Sequence, residues 1–207
     1  MHAAGRFSAT AVILAGGKGV RMGADKAFLT VDGVPLIERV MAAARAACGR
    51  VIIIADTAAA FEHLGVDVFC DIHPGFGSLG GLYTGLFYAE TETVFALGCD
   101  MPFVEPRLME YIISVRGDAD IAVPVLGEYY EPLFCVYSKT CIDEAKRSIR
   151  AGRHQIVSFF NRMKIRKVSG QELRAVDPEL DSLVNLNTPE DIDRAESIAR
   201  RRKKDRT

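Results

Sequence analysis

Three clusters of residues have types and spacings that suit phosphate and metal chemistry. The first runs Leu14-Ala15-Gly16-Gly17-Lys18-Gly19-Val20-Arg21-Met22-Gly23-Ala24-Asp25-Lys26. Glycines let a backbone approach phosphates closely and point its N–H groups at them. Lys18, Arg21 and Lys26 add three cations within nine residues, enough to offset a triphosphate. No G-K-[ST] follows the glycines and no G-x-G-x-x-G opens a helix, so neither familiar phosphate-loop pattern applies. The plainer alternative is a glycine-rich turn with solvated cations.

The second cluster is Gly98-Cys99-Asp100-Met101-Pro102. A carboxylate just past an apolar strand is costly to bury unless it is paired or bound to a metal. Asp100 is therefore a candidate Mg²⁺ ligand, because one aspartate with substrate phosphates and water is an ordinary magnesium environment. A loop cap is the alternative. Cys99 is expected to be a small buried filler. The third cluster, Asp71-Ile72-His73-Pro74-Gly75-Phe76-Gly77-Ser78-Leu79-Gly80-Gly81, is a glycine-rich loop before a helix. Such a loop can wrap a planar base, with Gly80 and Gly81 clearing space for it. Asp71 either bonds a nucleotide or caps its own loop, and His73 is expected to be a loop residue with no catalytic role.

The elements that must hold these clusters read as an alternation. Residues 10–15, 51–55, 66–70 and 94–99 are short apolar runs rich in β-branched residues, the pattern of buried parallel strands. Helical patterns occupy 35–47, about 57–64, the stretch after Gly80 to about Glu90, and the residues after Pro106 to about Arg116. Beyond residue 120 the pattern predicts strands at 120–125 and 132–137, a helix over about 139–150, a short helix at 156–162 and an edge strand at 163–168. A last helix should start at Pro189, with Thr188 as cap and Asp191 in the capping-box position, and end near Arg201. Strands alternating with helices predict an α/β three-layer sandwich around a mostly parallel, mixed sheet. The chain reads as a single domain over 1–207, with a core at about 10–201 and a basic tail at 200–207.

Composition narrows the function classes. In 207 residues, 49% are hydrophobic and 26% charged, which excludes global disorder and a coiled coil. Net charge is -1, but residues 200–206 hold six basic residues and one acidic, so the body is mildly acidic. That argues against a broad nucleic-acid surface, and the tail reads as a frayed, solubilising terminus. Five cysteines with no C-x-x-C pair suggest neither a disulfide framework nor a zinc knuckle. No apolar run reaches membrane-spanning length, and the first ten residues lack a signal-peptide core, so a cytoplasmic protein is expected.

The segment L-A-G-G-x-x-x-R-M-G-x-D-K at 14–26 resembles the nucleotidyltransferases of glycosyltransferase-A-like, Rossmann-like fold. The glycine loop at 75–81, the C-D-x-P turn at 99–102 and Asn185-Leu186-Asn187-Thr188-Pro189-Glu190-Asp191 extend the resemblance to the molybdenum cofactor guanylyltransferase family, over 11 to about 200. The resemblance implies GTP binding by Leu14, Ala15, Gly16, Gly17, Lys18, Lys26, Asp71 and Gly80, and Mg²⁺ on Asp100. It places Arg21 near the phosphates, and Asn185 and Asn187 on the side that meets molybdenum-molybdopterin. Lys26, Arg21 and Asp100 would carry the chemistry. It also implies a molybdoenzyme or chaperone as recipient of the product. Ser78 stands where the family usually has proline, Gly80 where alanine is common, and Asp56 where asparagine is frequent.

Three rivals remain at this point. A cytidylyltransferase acting on the same pterin usually reads L-A-A-G, so Gly16-Gly17 favours GTP. A sugar-phosphate nucleotidyltransferase would share the loop. A non-catalytic nucleotide sensor would not need both Lys26 and Asp100. The Tyr129-Tyr130-Glu131-Pro132 segment either faces the acceptor or is a plain hairpin connection.

Overall fold

The computed structural model describes residues 7–16 and 26–204. Strand β1 (Phe7–Leu14) opens the chain. A single 3₁₀ turn, Lys26–Phe28, leads into a hairpin of β2 (Thr30–Val31) and β3 (Val34–Pro35). Its two turn residues, Asp32 and Gly33, both have positive φ, 52° and 72°, the geometry that matches strand twist in a two-residue hairpin. Helix α1 (Leu36–Ala47) runs straight into β4 (Cys48–Ala55), and a 3₁₀ helix, Ala58–Leu64, precedes β5 (Asp67–Cys70). Then follow α2 (Gly77–Tyr88), β6 (Thr93–Gly98) and α3 (Pro106–Val115). Next come β7 (Ile121–Leu126), β8 (Tyr129–Tyr130), β9 (Phe134–Ser138) and α4 (Cys141–Arg150). A 3₁₀ helix, Ile156–Arg162, strand β10 (Ile165–Ser169), α5 (Gly170–Arg174), a 3₁₀ turn, Asp181–Leu183, and α6 (Pro189–Lys204) complete the described chain.

The main sheet has the order β10-β7-β9-β6-β1-β4-β5, with β8 paired to β7. The β1–β4, β1–β6, β4–β5 and β7–β10 pairs are parallel, whereas β9 runs antiparallel to both β6 and β7. This is the mixed, mostly parallel sheet the alternation predicts, with the antiparallel strand after residue 120. Alternation along β1 sorts its side chains into two cores. Ala9, Ala11 and Ile13 pack with α1 and α3, whereas Val12 and Leu14 pack with α2 and, through neighbouring strands, α4. Burial on both faces is why these strands read as unbroken apolar runs rather than alternating ones.

Helix α2 begins at Gly77, so Gly80 and Gly81 lie inside it and not in the loop before it. Its approach to the sheet is closest at Gly85, where a Cβ would fall 2.4 Å from Val12 Cγ1. Val12 is fully buried and cannot withdraw. Gly85→Ala is therefore expected to lower stability by about 1–3 kcal/mol from overpacking, even after the gain in helix propensity of about 1 kcal/mol. Urea unfolding of the two proteins measures this, and a mutant equal to or above the parent contradicts it.

The start of α6 follows the expected capping box. Asp191 N donates to Thr188 Oγ1 at 3.4 Å, and Thr188 N donates to Asp191 Oδ2 at 2.8 Å. The basic tail departs from expectation. The helix continues to Lys204 instead of fraying, because its cations find acidic partners on the body. Arg201 grips the Asp181 carboxylate with contacts of 2.7 and 2.6 Å, Arg202 reaches Glu105 at 3.0 Å, and Lys203 reaches Asp32 at 2.8 Å. Residues 205–207 lie outside the described residues. A third, smaller core of Val31, Leu36, Phe103, Leu186, Ala195 and Ile198 fixes α6 against the hairpin. No helix among the described residues is long and apolar enough to cross a membrane.

Candidate active site

The carboxyl ends of β1, β4 and β6 form one edge, tied by backbone bonds. Ala15 N donates to Ile54 O at 2.8 Å, and Cys99 N donates to Leu14 O at 3.1 Å. Leu186 N then donates to Asp100 O at 3.0 Å, drawing the late 185–191 motif onto the same edge. Ligands of open α/β sheets sit beyond such an edge.

At this edge Lys26 connects two motifs far away in sequence. Its ammonium donates to Asp100 Oδ2 at 2.6 Å and to Asn187 Oδ1 at 2.9 Å. Both members of the ion pair keep about a fifth of their side-chain surface exposed, 20% for Lys26 and 22% for Asp100, so an incoming ligand can reach them. Asp100 is thus paired, and its charge is already offset at the strand end. Removing it deletes an ion pair and does not relieve repulsion. Asn187 also donates its backbone N–H to Asp191 Oδ2 at 2.7 Å, so the α6 cap holds the residue that holds Lys26. Asn185 lies two residues earlier and makes one long local bond, Nδ2 to Leu183 O at 3.5 Å.

Asp71 sits at the end of β5. Its Oδ1 accepts from Thr84 Oγ1 at 2.8 Å and from His73 N at 2.9 Å, while Thr84 Oγ1 accepts from Ile72 N at 3.0 Å. The carboxylate therefore caps its own loop. Gly80 makes room for it: a Cβ there would lie 2.7 Å from both Asp71 Oδ2 and His73 O. The space at Gly80 is filled by protein rather than cleared for a base, and that at Gly81 is taken up by the Leu14 side chain. Leu14 itself is buried, Ala15 half-buried and Gly16 exposed. A Cβ on Gly16 would meet Asp56 Oδ1 at 3.0 Å. Gly17, Lys18 and Arg21 lie outside the described residues.

The sequence reading missed Thr84, the hydroxyl inside α2 that ties Asp71 down. It also missed Asp181 and Ser182, which anchor the segment before Asn185. Ser182 Oγ accepts from Glu105 N at 3.0 Å. The signal for Thr84 was slight, a small hydroxyl in the mostly apolar middle of a helix.

Among the described residues no group of three or more His, Cys, Asp or Glu forms a metal cage. The donor set at Asp100 is one carboxylate, one of whose oxygens faces Lys26. That suits a Mg²⁺ delivered with substrate phosphates, not a resident ion in a protein cage. Thiol chemistry finds no support here. Burial pushes Cys48 and Cys141 up to about 12 and raises Cys135 well above the ordinary thiol range, and Cys99 is buried as expected.

Comparison with known proteins agrees with this geometry. The family model described as MobA-like NTP transferase domain matches residues 11–167. The chain is 36% identical to a molybdenum cofactor guanylyltransferase of Desulfosudis oleivorans, over 91% of this chain and 94% of that one. It is also 36% identical to a probable molybdenum cofactor guanylyltransferase of Pelotomaculum thermopropionicum, over 93% and 94%. The crystal structure of molybdopterin-guanine dinucleotide biosynthesis protein A from Archaeoglobus fulgidus superposes with a TM-score of 0.82 at 29% identity, covering 93% of this chain and 99% of that one. With the Asp100 turn and the Asn187 motif meeting at Lys26, the chain belongs to the MobA-like NTP transferases and, within them, to the molybdenum cofactor guanylyltransferase family.

Proposed function

We propose that this chain transfers GMP from GTP to the terminal phosphate of molybdenum-molybdopterin, releasing pyrophosphate and forming the guanine dinucleotide cofactor. The observation that carries the reading is Lys26 held between Asp100 and Asn187 at the carboxyl edge of the sheet. The names of the similar proteins agree with it. Residues 1–207 act as one nucleotidyltransferase domain. We place the reaction in the cytoplasm, with a molybdoenzyme or its chaperone receiving the product.

In the reaction a phosphate oxygen of the acceptor attacks the α-phosphorus of GTP. A new P–O bond forms, the bond from the α-phosphorus to the bridging oxygen breaks, and pyrophosphate leaves with that electron pair. A phosphate monoester is already mostly ionised near neutral pH, so no strong general base is needed. The protein's work is alignment and charge neutralisation. Lys26 is aimed by its two partners, so its charge is in place before substrate arrives. Arg21, Lys18 and Gly17 would serve the triphosphate, and the backbone of Ala15 and Gly16 would line its path. Asp71 and Gly80 set the shape of the base-side loop, and Asn185 and Asn187 border the acceptor side. Asp100 would hold Mg²⁺, which when bound screens the phosphates from one another.

GTP should be preferred over CTP. A Cβ at Gly16 would stand 3.0 Å from the Asp56 carboxylate, so glycine here keeps Asp56 close against the strand end. An unmet buried donor or acceptor costs about 1–3 kcal/mol, which sets a preference of roughly 5- to 150-fold. The test is kcat/KM for GTP and for CTP with molybdopterin as acceptor, and with a sugar phosphate in its place. Equal values for the two nucleotides, or a preference for the sugar phosphate, would remove the guanylyltransferase reading.

A further inference from the structure

On the side of β6 away from β1 lies an acidic group that the reaction above leaves unused. β7 and β8 are joined by a two-residue turn, and Val125 and Leu126 pair with Tyr130 and Tyr129. The ladder continues one step further, where Glu131 N donates to Pro124 O at 3.1 Å. Glu131 O accepts from Phe134 N at 3.1 Å, and the Tyr137 hydroxyl donates to Pro132 O at 2.7 Å. The backbone at Glu131 is therefore fixed from both directions.

Strand alternation gives the side chains their directions. Tyr130 turns toward the α2–α4 core, where its ring meets Phe160 edge-on at 5.4 Å. Tyr129 and Glu131 turn to the opposite face. Leu126, the partner of Tyr129, packs against the α1–α3 core on that face. The position is also close to Asp100. Gly98 N donates to Leu133 O at 3.2 Å, and from that link Asp100 and Glu131 are each two residues away. Two residues span at most about 7 Å, so Asp100 and Glu131 lie at neighbouring strand ends on the same edge of the sheet.

Glu131 is half-buried, and its carboxyl has no hydrogen bond or ion pair among the described residues. Burial alone raises its pKa. A desolvated acceptor pair without donors is costly, and a ligand with two adjacent N–H donors removes that cost. Beside it the Tyr129 ring is 79% exposed, a free face on which a planar heterocycle can stack.

We infer that Glu131 reads the acceptor, its two carboxylate oxygens accepting the N3–H and 2-amino hydrogens of the pterin's 2-amino-4-oxo ring. This rests on the reading that molybdopterin is the acceptor. Guanine presents the same donor pair, but the sheet order separates the two. The glycine loop follows β1 and Asp71 follows β5, whereas Glu131 joins β8 to β9 on the other side of β6. A charge-assisted, two-point contact of this kind supports about a 10- to 100-fold effect on binding.

The test compares the parent with Glu131→Gln and Glu131→Asp. Steady-state kinetics with GTP and molybdopterin are run beside equilibrium dialysis of molybdopterin without GTP. Glu131→Gln keeps the size but sets an amide donor against the ring's donors. We expect it to raise the acceptor KM and the dialysis Kd at least 10-fold, with the GTP KM and the thermal midpoint unchanged. Glu131→Asp keeps the charge and should recover part of the loss. Acceptor KM and Kd within twofold of the parent would overturn the inference while leaving guanylyl transfer intact. A rise in GTP KM would also overturn it, by assigning Glu131 to guanine. A parent that transfers GMP to no molybdopterin would overturn the functional reading and the inference together.

Discussion

Lys26→Ala is expected to lower kcat/KM for GTP about 100-fold while the protein stays folded. Losing one preorganised contact to developing phosphate charge costs about 3 kcal/mol of transition-state stabilisation. The lysine is aimed by two partners, Asp100 at 2.6 Å and Asn187 at 2.9 Å, so its contribution requires no reorganisation when substrate binds. The stability cost is small, because a partly exposed ion pair contributes about 1 kcal/mol or less. The measurement is pyrophosphate release at subsaturating GTP, with a thermal melt alongside. Activity within twofold of the parent would remove Lys26 from the phosphate site.

Asp100→Asn separates two roles that the geometry gives to one carboxylate. The amide oxygen can still accept from Lys26, so a purely positioning aspartate would be replaced at little cost. Asparagine also ranks with aspartate as a loop or helix cap. As a ligand for a hard cation it is far poorer. If Asp100 holds Mg²⁺, turnover should fall about 100-fold or more, several times further than GTP affinity, and the Mg²⁺ midpoint should rise. The fold should be retained with a loss of about 1 kcal/mol or less, since the Lys26 pair is weakened at a site still open to water. Titrating Mg²⁺ against pyrophosphate release for both proteins decides this. Near-parental turnover with an unchanged midpoint would leave Asp100 only as the partner of Lys26.

What could be read from the sequence was local in character. The buried strands announced themselves because both faces of β1, β4 and β6 are covered, which leaves runs such as Val51-Ile52-Ile53-Ile54 with no polar alternation. The α6 start was legible because its cap is a contact three residues long. Each candidate loop could be placed at a strand end for the same reason.

The missing parts depend on contacts that no window of sequence contains. Lys26 is 74 residues from Asp100 and 161 from Asn187, so their convergence is a product of the sheet order. Composition made the tail look solvated, yet Arg201, Arg202 and Lys203 bind Asp181, Glu105 and Asp32 across the fold. Gly80 read as space for a ligand because glycine in sequence looks the same whether the space beside it is empty or filled. Here Asp71 fills it. The short α5 escaped because its capping box, Ser169 with Glu172, follows an edge strand with no loop between them.

The most direct test is to identify the product. The purified protein is mixed with GTP, Mg²⁺ and molybdenum-molybdopterin, and pyrophosphate is counted against the cofactor species resolved by mass spectrometry. The account predicts one pyrophosphate per guanine dinucleotide cofactor formed, with neither appearing when the acceptor is withheld. Pyrophosphate released without acceptor, or a pterin that gains no GMP while GTP is consumed, would contradict it.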